Sequence, residues 1–163
     1  MNNWKIPKPL MNLKWYYPLK EEKMELTTSL RENLVREIRF ASENMHKTEN
    51  IPDKMFFFSA VYGELTRTFN FEYNPSLVFI HQVIHQVFDL INAKINISSQ
   101  QKGSIASSIP ANLFNKLETS LNDLADKIER DENYCQVLES IANLGYSATG
   151  NGSYLYYKGV IKI

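Results

Sequence analysis

The spacing of apolar and polar positions predicts a chain that is helical for most of its length and changes period near its end. From Glu21 to about Lys47, Met24, Leu30, Leu34, Ile38, Ala41 and Met45 recur at helical spacing, which predicts a long amphipathic helix with Glu32 and Arg36 as a supporting i,i+4 pair. The stretch from Thr48 to Pro52 ends it, and Asp53 is placed to cap a second helix over roughly Lys54–Phe69. Phe56, Phe57, Phe58, Val61, Tyr62, Leu65 and Phe69 make this helix apolar on most sides, so it is expected at the centre of the fold.

Asn74-Pro75 then punctuates the chain, and a third helix to about Asn96 directs Leu77, Ile80, Ile84, Val87, Phe88, Ile91 and Ile95 inward. Its other face is a polar stripe of His81, Gln82, His85, Gln86, Asp89 and Asn92. Ser98–Ser108 is rich in Ser and Gln and predicts a loop, with Ser108 or a neighbour capping a fourth helix. In that helix Leu113, Leu117, Leu121, Leu124 and Ile128 repeat until Arg130. A fifth helix after Asp131 carries Tyr134, Val137, Leu138, Ile141 and Leu144, and Gly145 reads as its left-handed stop residue.

The ends of the chain have another character. Tyr146–Thr149 and Ser153–Ile163 flank Gly150-Asn151-Gly152, the signature of a β-hairpin, and the second run alternates Leu155, Tyr157, Ile161 and Ile163 with Tyr154, Tyr156, Lys158 and Lys162. Three prolines interrupt residues 1–20, which also hold Trp4, Trp15, Tyr16 and Tyr17 and are too apolar to stay in water. The expected architecture is mainly α: a five-helix bundle with a C-terminal β-hairpin, a small antiparallel sheet to which the N-terminal arm can add a strand. The chain, residues 1–163, reads as one domain with an arm (1–20), a helical core (21–144) and the hairpin (145–163).

Charge refines this picture more than composition does. The chain has 18 basic and 18 acidic residues, so no global field gathers nucleic acid or anionic lipid. Residues 1–20 carry Lys5, Lys8, Lys14 and Lys20 and no acid. Residues 110–143 hold Glu118, Asp123, Asp126, Glu129, Asp131, Glu132 and Glu139 against Lys116, Lys127 and Arg130, which suggests the arm docking on the late helices of its own or a neighbouring chain. No apolar run approaches the roughly 20 residues of a membrane span, no signal-peptide core opens the chain, and the single Cys135 suits a reducing compartment; a cytoplasmic location is expected.

Two constellations carry candidate chemistry. His81-x-x-x-His85 places two imidazoles one helical turn apart, where a divalent metal could bridge them, with Asp89 on the same face and His46 or Glu43 of the first helix as further candidate ligands. The competing reading, a polar seam between helices shared with Gln82 and Gln86, needs no third ligand and is preferred, so no cofactor is expected. Helices four and five followed by a hairpin also follow the order of a winged-helix module, but helix five has no Lys or Arg between Asn133 and Gly145, which counts against nucleic acid. Glu64 is the acid expected to be partly buried, against Arg67 or Arg39, and Cys135 among acids is a poor nucleophile. The functional expectation is a non-enzymatic, self-associating interaction or scaffold module, a homodimer with Trp4, Trp15, Tyr16, Tyr17, Tyr154 and Tyr156 at its interface and no membrane partner. A winged-helix-like nucleic-acid binder and a metal-dependent enzyme are the alternatives.

Overall fold

The computed structural model describes residues 26–71, 74–100, 109–110 and 112–149. They form five α-helices: α1 (Thr28–Lys47), α2 (Ile51–Phe71), α3 (Pro75–Gln100), α4 (Leu113–Glu129) and α5 (Cys135–Thr149). Each helix packs chiefly on two others, and the pairings close into a ring in the order α1, α2, α3, α5, α4 and back to α1. Leu34, Ile38, Met45, Phe58, Leu65, Leu77, Ile84, Ile91, Leu117 and Leu121 are fully buried in the core that the ring encloses.

Short polar side chains set the starts of α2 and α3. α2 begins three residues earlier than its sequence pattern predicts because Asn50, not Asp53, is the cap: Asn50 Oδ1 accepts the Asp53 N–H at 3.0 Å, and Pro52 in the first turn has no N–H to lose. Asn74 caps α3 in the same way, its Oδ1 accepting from the N–H groups of Ser76 (2.9 Å) and Leu77 (3.4 Å), with Pro75 at the first helical position. α4 starts after Asn112, whose side chain makes no capping hydrogen bond, rather than at Ser108, and α3 continues through residues 98–100, the beginning of the expected loop. At the end of α4, Asp131 adopts φ 54°, and the Glu132 N–H reaches back to Lys127 O at 2.9 Å, a Schellman closure built on aspartate instead of glycine.

Two expectations are corrected here. α2 is not a central helix but one member of the ring, and Phe56 on its first turns stands 67 % exposed. The C-terminal hairpin is not found: Tyr146–Thr149, its expected first strand, forms the last turn of α5, and no strand occurs among the described residues. The reason lies at Gly145, which serves close packing instead of a left-handed stop. A Cβ built there would lie 3.2 Å from Val87 Cγ2, 3.3 Å from Leu90 Cδ1 and 3.4 Å from the Val87 backbone, so the missing side chain lets α5 lie against α3 and continue. The arm of residues 1–20, with Trp4, Trp15, Tyr16 and Tyr17, lies outside the described residues, as do residues 150–163 with Tyr154 and Tyr156. Gly145→Val is expected to destabilise the protein by about 1–3 kcal/mol through overpacking of the α3–α5 contact, measured by urea denaturation; an unchanged midpoint would show that the contact does not need glycine.

Candidate functional site

Among the described residues, the most heavily charged buried place lies where α1 ends, α2 begins and α4 passes both. Lys54 falls on the stripe of α2 that carries Phe58 and Val61, and Glu118 on the stripe of α4 that carries Phe114 and Leu121, so helical periodicity takes both side chains inside. They are 8 % and 6 % exposed and form an ion pair at 3.4 Å. Lys54 Nζ also donates to Met45 O at 2.6 Å, closing a carbonyl in the last turn of α1, and sits 5.8 Å from the centre of the Phe114 ring. The second carboxylate oxygen of Glu118 lies 3.1 Å from His46 Nδ1, and its backbone carbonyl accepts from Ser42 Oγ at 3.1 Å. Each buried charge is answered by the other, which is the condition for keeping either inside. An amine and a carboxylate so paired are poor candidates for nucleophile or base, because freeing one strands the other.

Further along the α1–α4 contact two arginines do similar work nearer the surface. Arg39 donates to Glu129 through both terminal nitrogens, at 2.7 and 3.1 Å, and to Asp126 at 2.7 Å. The hydrogen bond from Arg39 holds the Glu129 carboxyl below its ordinary range, and the two carboxylates raise the guanidinium in return. Arg31 donates to Ile128 O at the end of α4 and lies 3.6 Å from the Asp131 carboxylate. The acidic excess of the late helices is therefore met largely within the bundle: α1 and α2 hold Glu118, Asp126, Glu129 and Asp131, and Lys127 holds Glu132 at 2.8 Å. Arg36, expected to pair with Glu32, turns to Asn33 at 2.7 Å and to Glu37 at 3.9 Å.

The histidines of α3 lie on the α2 side of the ring. His81 and His85 stack with ring centres 5.8 Å apart and planes at 5°, and Tyr62 of α2 packs edge-on against both, at 6.2 and 5.1 Å. Thr66 Oγ1 donates to Tyr62 O at 2.9 Å, which leaves it to accept from His81 Nε2–H at 2.9 Å and commits that nitrogen. Burial first, and then the neighbouring His85, lower the His81 pKa, so the ring favours its neutral form. His85 Nδ1 stands 3.7 Å from Asp89 Oδ2 on the exposed side.

Of the candidate metal ligands, His81 and His85 are together and Asp89 is beside His85. His46 is turned to Glu118, and α2 lies between its helix and α3 in the ring; exposed Glu43 is on α1 as well. Among the described residues no group of three or more His, Cys, Asp or Glu is placed to hold a metal ion. Glu64 meets Arg67 as expected, but Glu118 is the more deeply buried acid, and sequence reasoning passed over it and Lys54. The signal was present: a lone charge on each of two apolar stripes, of opposite sign. The winged-helix order loses its wing, since α5 occupies the place of the first strand. No helix among the described residues is long and apolar enough to cross a membrane. Compared with known protein families, curated proteins and solved structures, the chain has no match.

Two measurements test this assignment. Lys54→Met and Glu118→Leu are each expected to cost about 3–5 kcal/mol in denaturant titrations, and the double variant less than their sum, because removing one partner leaves a buried charge and removing both leaves none; additive losses would show that the pair is not coupled. Because the folded His81 ring resists a proton that the unfolded chain accepts below pH 6.5, its contribution is complete above that pH and lost as pH falls. Stability is expected to fall more steeply between pH 7 and 5 in the parent than in His81→Gln, and parallel curves would contradict it.

Proposed function

We propose that the chain is a non-enzymatic helical interaction module that associates with a second copy of itself. The observation that carries the reading is Phe56, a phenyl ring 67 % exposed on the first turns of α2, with Phe57 edge-on beside it at 5.5 Å. A large exposed ring on a rigid helix gains most by being covered, and aromatic side chains are favoured at the centres of protein interfaces. The zero net charge of the chain sets up no general repulsion between copies. The non-enzymatic part of the reading is supported by the pairing of the buried charges with one another and by the involvement of His46 and His81 in contacts between helices.

Sedimentation equilibrium over a wide concentration range is the test. The expected result is a reversible dimer that Phe56→Glu shifts to monomer while the far-ultraviolet circular dichroism stays helical. A parent protein that is monomeric throughout the range would overturn the proposal.

A further inference from the structure

A cleft of about 570 Å³ runs along the outer face of α1 from Thr28 to Glu43 and is bordered on one side by Glu129 of α4. Its lining is chemically mixed in a particular way. Arg31, Arg36 and Arg39 supply three guanidinium groups, Phe40 supplies an aromatic ring that is 55 % exposed, and Glu32 is among the carboxylates at its edge. Guanidinium planes and a phenyl face favour flat aromatic rings, tryptophan above others, and the carboxylates favour ammonium groups. An occupant suited to this lining brings flat aromatic rings for Phe40 and the guanidinium faces, and ammonium groups that can meet Glu32 and Glu43.

Two segments of the chain have that composition, residues 1–20 and residues 153–163, and only the first contains tryptophan and leads directly into the cleft's Thr28 end. Residues 1–20 hold Trp4, Trp15, Tyr16 and Tyr17 together with Lys5, Lys8, Lys14 and Lys20 and no acid. Residues 21–27 alone separate this arm from Thr28, the first residue of α1 and one end of the cleft. Seven extended residues span up to about 23–25 Å, and the length of α1 from Thr28 to Glu43 is about 22 Å, so a single reversal lets the arm lie along the cleft. A segment tethered this closely meets the cleft at a high effective concentration, which favours its own chain over a second copy. We infer that the cleft beside Phe40 is the docking site of the N-terminal arm of the same chain, with arm tryptophans against Phe40 and the arginines of α1.

Trp4 and Trp15 are the only tryptophans in the protein, so intrinsic tryptophan emission reports on the arm and nothing else. The full chain is expected to emit at short wavelength, to resist quenching by acrylamide, and to do so equally at high and low protein concentration. Phe40→Ser and Arg36→Ser, both at exposed positions and adding no carboxylate for the arm lysines, are each expected to move the emission to the red and raise the quenching constant several-fold with no loss of helical circular dichroism. Emission of fully exposed tryptophan in the parent, or emission unmoved by either variant, would overturn the inference. A blue shift that vanishes on dilution as dimers dissociate would also overturn it, by placing the arm on a second copy. Because self-association is read separately by sedimentation of Phe56→Glu, failure of either proposal is visible without the other.

Discussion

The structure depends on how the first helix is joined to the fourth. α1 and α4 are far apart in sequence, and without their contact the helices would form an open row with two unfinished apolar faces. The contact is antiparallel and runs the length of both helices. At one end Arg31 closes the Ile128 carbonyl of α4; next to it Arg39 grips Asp126 and Glu129; then Ser42 and His46 reach Glu118. Behind these, Lys54 comes from α2 to the same carboxylate and to the end of α1. One glutamate thus ties three helices at the point where the ring closes.

The physical logic changes along this seam. Arg39, Asp126 and Glu129 are partly hydrated, so water and salt weaken their attraction, and their contribution is mainly directional: a forked guanidinium meets a carboxylate in one register. Glu118 and Lys54 are nearly dry, where an unmatched charge is heavily penalised and a matched pair roughly breaks even against apolar packing. Their effect is to exclude other arrangements, since a slip of α4 along α1 would separate the buried charges. Leu34, Ile38, Leu117, Leu121 and Leu124, all fully buried, supply the non-directional attraction that this register organises.

The helices themselves were legible in the sequence because each stripe repeats many times. Leu113, Leu117, Leu121, Leu124 and Ile128 were assigned to the core from spacing alone, and all are 1 % exposed or less. Helix ends were less legible, since Asn50 and Asp53 are both competent caps and only the backbone trajectory decides between them. Gly145 failed for a deeper reason: a glycine that permits positive φ and a glycine that permits close approach look identical in one dimension, and the neighbours that distinguish them, Val87 and Leu90, lie on another helix. The hairpin assignment fell with it. At the candidate site, the neighbourhood of His81 and His85 followed from four-residue spacing, whereas the partners of His46, Arg31 and Arg39 are 72 to 97 residues away and no local pattern encodes them.

Closure of the ring through α1 and α4 can be followed residue by residue by native-state amide hydrogen exchange. The buried stretches of α1 and α4 are expected to open together, with one common free energy close to that of global unfolding, since neither keeps its register without the other. Exchange of α1 through a separate, lower-energy opening that leaves α4 protected would contradict it.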